Sequence, residues 1–213
     1  IERRRGIEKA ARHVDHMFAL NPDLLQFLPS GKSSFLPYAI SNFYDLKRRT
    51  KSFFAGDVAH IVHAPTQREA KGSKYILKAL EDLSEEFPGG LRVSVIENME
   101  RTQALSIIAT ADLLIDQVLI GWYGGVAVEA MKMGVPVACY INNEDLAVIP
   151  EEMVADIPVL RVTPFDVHER VRDFMKNRDL APEMSRQGHD YVMRWHEPTT
   201  VAKQVQSTLM TVS

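Results

Sequence analysis

The sequence predicts an α/β fold, a Rossmann-like parallel sheet with helices on both faces. Three observations lead to it. From residue 58 onward, short apolar runs alternate with segments of helical period. The connections between them are brief and marked by Gly and Pro, as in Pro88-Gly89-Gly90. Finally, VAHIVHAP is a continuous rather than alternating run, which suits a buried strand.

The opening IERRRGIEKAARH holds five basic residues and two acidic ones. It lacks the apolar stretch of a signal peptide and reads as a helix entered part-way, so the chain is expected to be a piece of a longer protein. Residues 14–20 (VDHMFAL) read as a short strand. NPDLLQFL follows as a helical turn, with Asn21 as cap and Pro22 as first helical residue. Residues 33–40 read as a second strand, bent at Pro37. SNFYDLKRRTKSFFAGD has no clean period and reads as a connection.

A regular rhythm follows. VAHIVHAP is a buried strand, and 73–83 a helix with Ile76, Ala79, Leu80 and Leu83 on one face. Residues 91–96 form a strand, RTQALSIIATA a helix and 112–119 a strand. GGVAVEAMKMG is a helix closed by Gly134; 135–141 and 158–162 are strands. From Phe165 to the end the chain is helical in three segments: up to about residue 178, then 182–195, then beyond Pro198. The expected organisation is the end of one α/β unit at 1–40, a linker at 41–56 and a Rossmann-like domain at 57–213.

Composition narrows the function. The 213 residues carry 25 Lys+Arg against 28 Asp+Glu, a net charge of -3, which argues against a nucleic-acid binder. A chain of this length buries roughly 70% of its unfolded surface and needs no covalent staples. One cysteine, Cys139, excludes an internal disulfide framework and a thiolate zinc site. No apolar run approaches the roughly 18 residues of a membrane span. A reduced, cytoplasmic setting is expected, with peripheral membrane contact through the basic run at 3–5 as an alternative to a solvated helix.

In open parallel sheets ligands bind beyond the carboxyl ends of the strands, and two loops there have unusual chemistry. In GWYGGVAVEAM, Gly124 and Gly125 let a ligand approach the backbone. The amides of Val126 and Ala127 then open a helix without intrahelical partners, an anion site suited to phosphate. Glu129 lies one turn inside that helix and leans back toward its start. It can accept hydrogen bonds from sugar hydroxyls, or it can be a solvated residue, since it shares a sector with Lys132 opposite Ala127 and Met131. The pattern G-x-x-G-G is not the dinucleotide fingerprint. In the other loop, PTQREAKGS, Arg68 and Lys71 are either a diphosphate grip or a solvated basic pair.

Together, HAPTQREAKG, VIENMERTQALSIIATADLLIDQ and GWYGGVAVEAMKMGVPVACYI resemble the C-terminal donor domain of family-four glycosyltransferases, retaining enzymes of the GT-B fold. The resemblance extends from about residue 58 through GHDYVMRWHEPTTVAKQV. Residues 13–40 resemble the last strand–helix–strand of the family's N-terminal domain. It implies that Arg68 and Lys71 grip the diphosphate of a nucleotide-sugar, that Gly124, Gly125 and Val126 meet its phosphates, and that Glu129, the second glutamate of the family's Glu-x7-Glu motif, binds the ribose. Glu97 and Asn98 would neighbour the nucleobase. The first motif glutamate falls at Gly121, which has no side chain. Its sugar contact is then absent or supplied nearby, by Asp116, Gln117, Trp122 or Tyr123.

The implied reaction is retaining transfer of a hexose to an acceptor hydroxyl on a carbohydrate, lipid or protein. No cofactor is implied, and the chain contains no Asp-x-Asp metal motif. Acceptor residues belong mainly to the N-terminal domain, so weak donor binding and no turnover are expected of this chain alone. A non-catalytic nucleotide- or sugar-binding module of the same fold is the alternative. The pairs His13/His16 and His60/His63 fall in or beside strands, where an i,i+3 pair faces opposite ways, and read as structural rather than metal-binding. His196 reads as a helix-end residue favoured by the dipole, and Cys139, Met131 and Met133 read as core filling.

Overall fold

A computed structural model describes residues 2–212, with the side chains of residues 2–4 and 212 outside the description. The basic run at 3–5 therefore lies mostly outside the described residues; its backbone belongs to helix α1 (Glu2–Ala10). A two-stranded parallel sheet follows, β1 (Met17–Ala19) against β2 (Ser33–Phe35), joined by a 3₁₀ turn at Pro22–Phe27. Asn21 precedes that turn in extended conformation without a side-chain cap bond, Pro22 supplying the fixed φ of its first turn. The second strand ends well before Ile40, because Pro37 removes a ladder donor.

The main sheet is parallel throughout, in the order β4-β3-β5-β6-β7, with β3 Ala59–His63, β4 Leu91–Val95, β5 Leu113–Gln117, β6 Val137–Cys139 and β7 Leu160–Arg161. The intervening helices are α2 (Arg68–Lys71), α3 (Ser73–Glu86), α4 (Arg101–Ile108), α5 (Gly125–Lys132) and α6 (Glu151–Ala155), with α7 (Val167–Lys176), α8 (Leu180–Trp195) and α9 (Pro198–Val212) closing the chain. The strands feed two cores by their period of two. Ile61, Leu113, Ile115 and Ala138 face α3 and α7, through Ile76, Leu80, Leu83, Val171 and Phe174. Val62, Leu114, Val137 and Cys139 face α5 and α8, through Ala127, Met131, Tyr191 and Val192. This is why the central strands β3, β5 and β6 are buried throughout, whereas β4 at the sheet edge alternates apolar with polar residues.

The N-terminal strands share the second core, since Phe35, Ile40 and Phe43 pack into it. The segment 41–56 is tied down as well: Arg49 donates to Ala111 O (2.7 Å) and pairs with the buried Asp112, which also accepts from the Phe54 and His60 amides. No helix among the described residues is long and apolar enough to cross a membrane.

β3 is flanked by β4 on one side and β5 on the other, so the direction of winding reverses at β3/β5. The loops leaving these two strands border the crevice where such sheets receive ligands.

Candidate functional site

Gly72 joins the two loops. It adopts φ +73°, and a Cβ there would lie 2.5 Å from Val118 Cγ2, so only glycine lets α2 and the β5 loop approach this closely. The Val118 amide donates to Lys71 O (3.1 Å), bringing Lys71 beside the end of β5. There the β5–β6 register shifts between Ile115 and Gln117, an irregularity that leaves Asp116 without a partner on β6. The Asp116 carboxylate accepts from Lys71 Nζ through Oδ1 and from the Gly124 amide (2.7 Å) through Oδ2. Gln117 continues the bracing: its amide donates to Trp122 O (3.1 Å) and Tyr140 O (2.8 Å), while its Oε1 accepts from the Ile120 amide (2.7 Å). The adjacent Asp116-Gln117 pair thus holds the glycine loop at both ends.

A cavity of about 780 Å³ opens at this point, within the range of small-molecule sites. Lys71, Glu97, Asn98, Asp116, Gln117, Trp122, Gly124, Gly125, Val126 and Glu129 all line it. Ile96, Met99, Ala104, Leu105 and Ile108 add apolar lining. The N-terminal strands' unit contributes Asn21 and Tyr38, hydrogen-bonded to each other at 2.6 Å. Trp122 is 1% exposed, stacks on Tyr123 at 4.5 Å, and its Nε1–H finds no partner among the described residues.

Four placements differ from the sequence reading. Arg68 does not line the cavity; its guanidinium clasps Glu97 through both Nε (2.7 Å) and Nη2, a bidentate ion pair that leaves it turned across the β4–α4 loop. Ala127 is not a free amide, because it donates to Gly124 O (3.0 Å) in the tight first turn of α5; the donors left there are those of Gly125 and Val126. Tyr123 is wholly buried and points into the second core, its hydroxyl meeting Tyr191 (2.8 Å) and His196 Nε2 (2.9 Å). His196 is equally buried and serves no helix dipole as a cation. Its Nδ1 lies 2.8 Å from Tyr38 O, and burial lowers its pKa to about 4, so it is neutral.

Glu129 is 6% exposed and forms part of the cavity wall, not a solvated face. The wheel alone misplaces it because the N-terminal end of α4 and the segment around Asn42 cover that sector. Arg101 donates to Glu129 and, at 3.0 Å, to Asn42. Burial raises the Glu129 pKa, with the Arg101 charge opposing. Arg101 and the bracing role of Asp116 are the features sequence reasoning missed. The only signal was their position in the loops at the carboxyl edge.

Gly121 has φ +85°, and a Cβ there would sit 3.0 Å from Asn142 Cβ. The backbone conformation therefore disfavours a glutamate at this point of the loop. Cys139 is fully buried in the sheet, its thiol pKa pushed up by burial. His60 and His63 are satisfied by Ser94 and Thr110, and by Ser73 and Ile115, on separate sides of the sheet. No group of three or more His, Cys, Asp or Glu among the described residues is arranged to hold a metal ion.

No family model and no curated protein matches the chain. Solved structures do. A point mutant of TarM of S. aureus, in complex with fondaparinux, α-GlcNAc-glycerol and UDP, matches at TM-score 0.69 and 11% identity over 92% of this chain and 44% of its own. HepE of Anabaena, in complex with UDP and glucose, matches at 0.69 and 12% over 97% of this chain and 66% of its own. The C-terminal domain of a glycosyl transferase group 1 family protein (LpcC) of Francisella tularensis matches at 0.50 and 14%, over 73% of this chain and 93% of its own. The chain thus spans about half to two thirds of the two longer structures. At these identities the likeness is one of architecture: a Rossmann-like sheet of the kind found in the C-terminal domains of GT-B proteins.

Proposed function

We propose that this chain is the donor-binding part of a retaining glycosyltransferase, moving a hexose from a nucleoside-diphosphate-sugar to an acceptor hydroxyl without a metal ion. One observation carries the reading. At the switch point of a GT-B-like sheet, a single cavity joins a lysine on one loop, a helix start opened by two glycines on the next, and a buried carboxylate one turn inside that helix. Complexes of similar folds with UDP support it.

In this reading the Gly125 and Val126 amides and Lys71 take the diphosphate, and Glu129 takes the ribose hydroxyls. As the sugar–oxygen bond breaks, negative charge grows on the leaving diphosphate, and fixed N–H donors and an ammonium stabilise it in a site partly withdrawn from water. Asp116 keeps the Lys71 ammonium aimed until the phosphates arrive. Arg68, paired with Glu97 outside the cavity lining, joins the diphosphate by exchanging that carboxylate for the phosphates. The acceptor binds mainly on the N-terminal domain, and the enzyme works in the cytoplasm, in contact with a membrane surface if its acceptor is a lipid.

Gly121 favours a second reading, a binding module without turnover, because the loop withholds one side chain that the resemblance expects beside the sugar. Calorimetric titration with UDP, GDP, ADP and NAD tests the first. A nucleoside diphosphate is expected to be preferred, with Lys71→Ala and Glu129→Ala each weakening it roughly tenfold or more, about 1.4 kcal/mol. Preference for NAD, or indifference to both variants, contradicts the assignment. Sugar transfer by the longer native protein then separates enzyme from module.

A further inference from the structure

The groups that hold Glu129 come from outside its own helix. Arg101, the first residue of α4, donates from Nη2 to Glu129 Oε1, and the same nitrogen reaches Asn42 Oδ1 in the segment 41–56. Three parts of the chain therefore meet at one guanidinium. The Glu129 side chain is 8% exposed whereas that of Arg101 is 59% exposed, and both line the cavity. The arginine thus stands between the carboxylate and solvent, and its own charge remains hydrated.

A carboxylate this withdrawn from water favours its neutral form, and a cation and hydrogen-bond donors favour the charged one. The groups facing Glu129 follow this rule: burial raises its pKa, while Arg101 from α4 and Asn42 from the connecting segment lower it. Ionisation matters because a ribose diol offers two O–H donors, which a carboxylate accepts on both oxygens and a carboxylic acid does not.

We propose that Arg101 is a positioning residue of the nucleotide site, holding Glu129 as an aimed carboxylate and tying it to the segment that leads back to the N-terminal strands. The proposal rests on the reading of Glu129 as the ribose acceptor. Arg101 acts through Glu129 and need not touch the nucleotide.

The test uses the chain with Arg101→Gln, Arg101→Lys and Glu129→Ala, with two readouts. The first is UDP affinity by calorimetry between pH 5.5 and 8.5; the second is the carboxyl titration of Glu129 by carbon NMR without ligand. Arg101→Gln is expected to move the Glu129 titration upward and to weaken UDP roughly tenfold at the acid end, with recovery as the pH rises and Glu129 ionises. Arg101→Lys is expected to restore most of the affinity and the flatter profile, which a merely structural loss does not. An unchanged titration and UDP profile in Arg101→Gln, beside a weakened Glu129→Ala, overturns this inference alone. UDP binding indifferent to Glu129→Ala overturns the ribose reading and the proposal with it.

Discussion

Replacing Gly121 with glutamate restores the carboxylate that the resemblance expects, and the structure predicts that it harms the protein. The backbone at Gly121 lies at φ +85°, where a residue with a Cβ costs about 1–2 kcal/mol more than glycine. The new Cβ would meet Asn142 Cβ at 3.0 Å and Asp145 Oδ2 at 3.7 Å, so the 3₁₀ turn at Asn143–Val148 must shift, adding about 1 kcal/mol. Relief is restricted, because the Asn142 amide donates to Gly121 O (2.9 Å) and its side chain to Asp145 (2.8 Å). The total is about 2–3 kcal/mol, equivalent to a fall in Tm of roughly 5–10 °C for a chain of this size. Differential scanning fluorimetry at pH 7.5 measures it. Gly125→Ala, whose added Cβ meets nothing within 4 Å, serves as the control and is expected to shift Tm little. A Gly121→Glu protein as stable as the parent would refute the argument from backbone conformation.

Three further outcomes are expected. His196 is held neutral, with a pKa of about 4 against roughly 6.5 unfolded. Between those values the unfolded chain binds more protons, so its contribution is complete above about pH 6.5 and is lost as the pH falls toward 4, by about 3 kcal/mol; urea midpoints at pH 7 and pH 5 report it, and His196→Phe should flatten the difference. Gly72→Ala should lower Tm and weaken UDP together, since the same contact with Val118 sets the position of Lys71. Gln117→Ala leaves the Ile120 amide and two carbonyls without their partner, a loss of about 3 kcal/mol, seen as a reduced urea midpoint without change in slope.

The central strands of the main sheet are legible because burial on both faces writes a mostly apolar run, the edge strand β4 by its alternation, and Gly and Pro mark where each run stops. The apolar runs outlast the strands, as at Val118 and Leu119, where the polypeptide has already left β5 for the loop. The four-residue α2 is not legible, because Arg68 to Lys71 is too short for a period to show. The turn at Asn143–Val148 and α6 carry acidic residues and no amphipathic stripe. In the site, the loop positions of Lys71, Gly124 and Glu129 followed from alternation of strand and helix. Side-chain direction did not. Tyr123 and Trp122 are adjacent aromatics that stack on each other inside the second core, yet only Trp122 also reaches the cavity lining, while the Tyr123 hydroxyl meets Tyr191. Likewise, the partners of Arg68, Lys71 and Glu129 lie 28 to 45 residues away in sequence and become neighbours only when the sheet forms.

A crystal structure with UDP bound addresses the central claim most directly. The account predicts the diphosphate between Lys71 Nζ and the amides of Gly125 and Val126, with the ribose hydroxyls on Glu129 and the base beside Glu97 and Asn98. UDP seated elsewhere, or a diphosphate that leaves Lys71 untouched while the ribose faces away from Glu129, would contradict it.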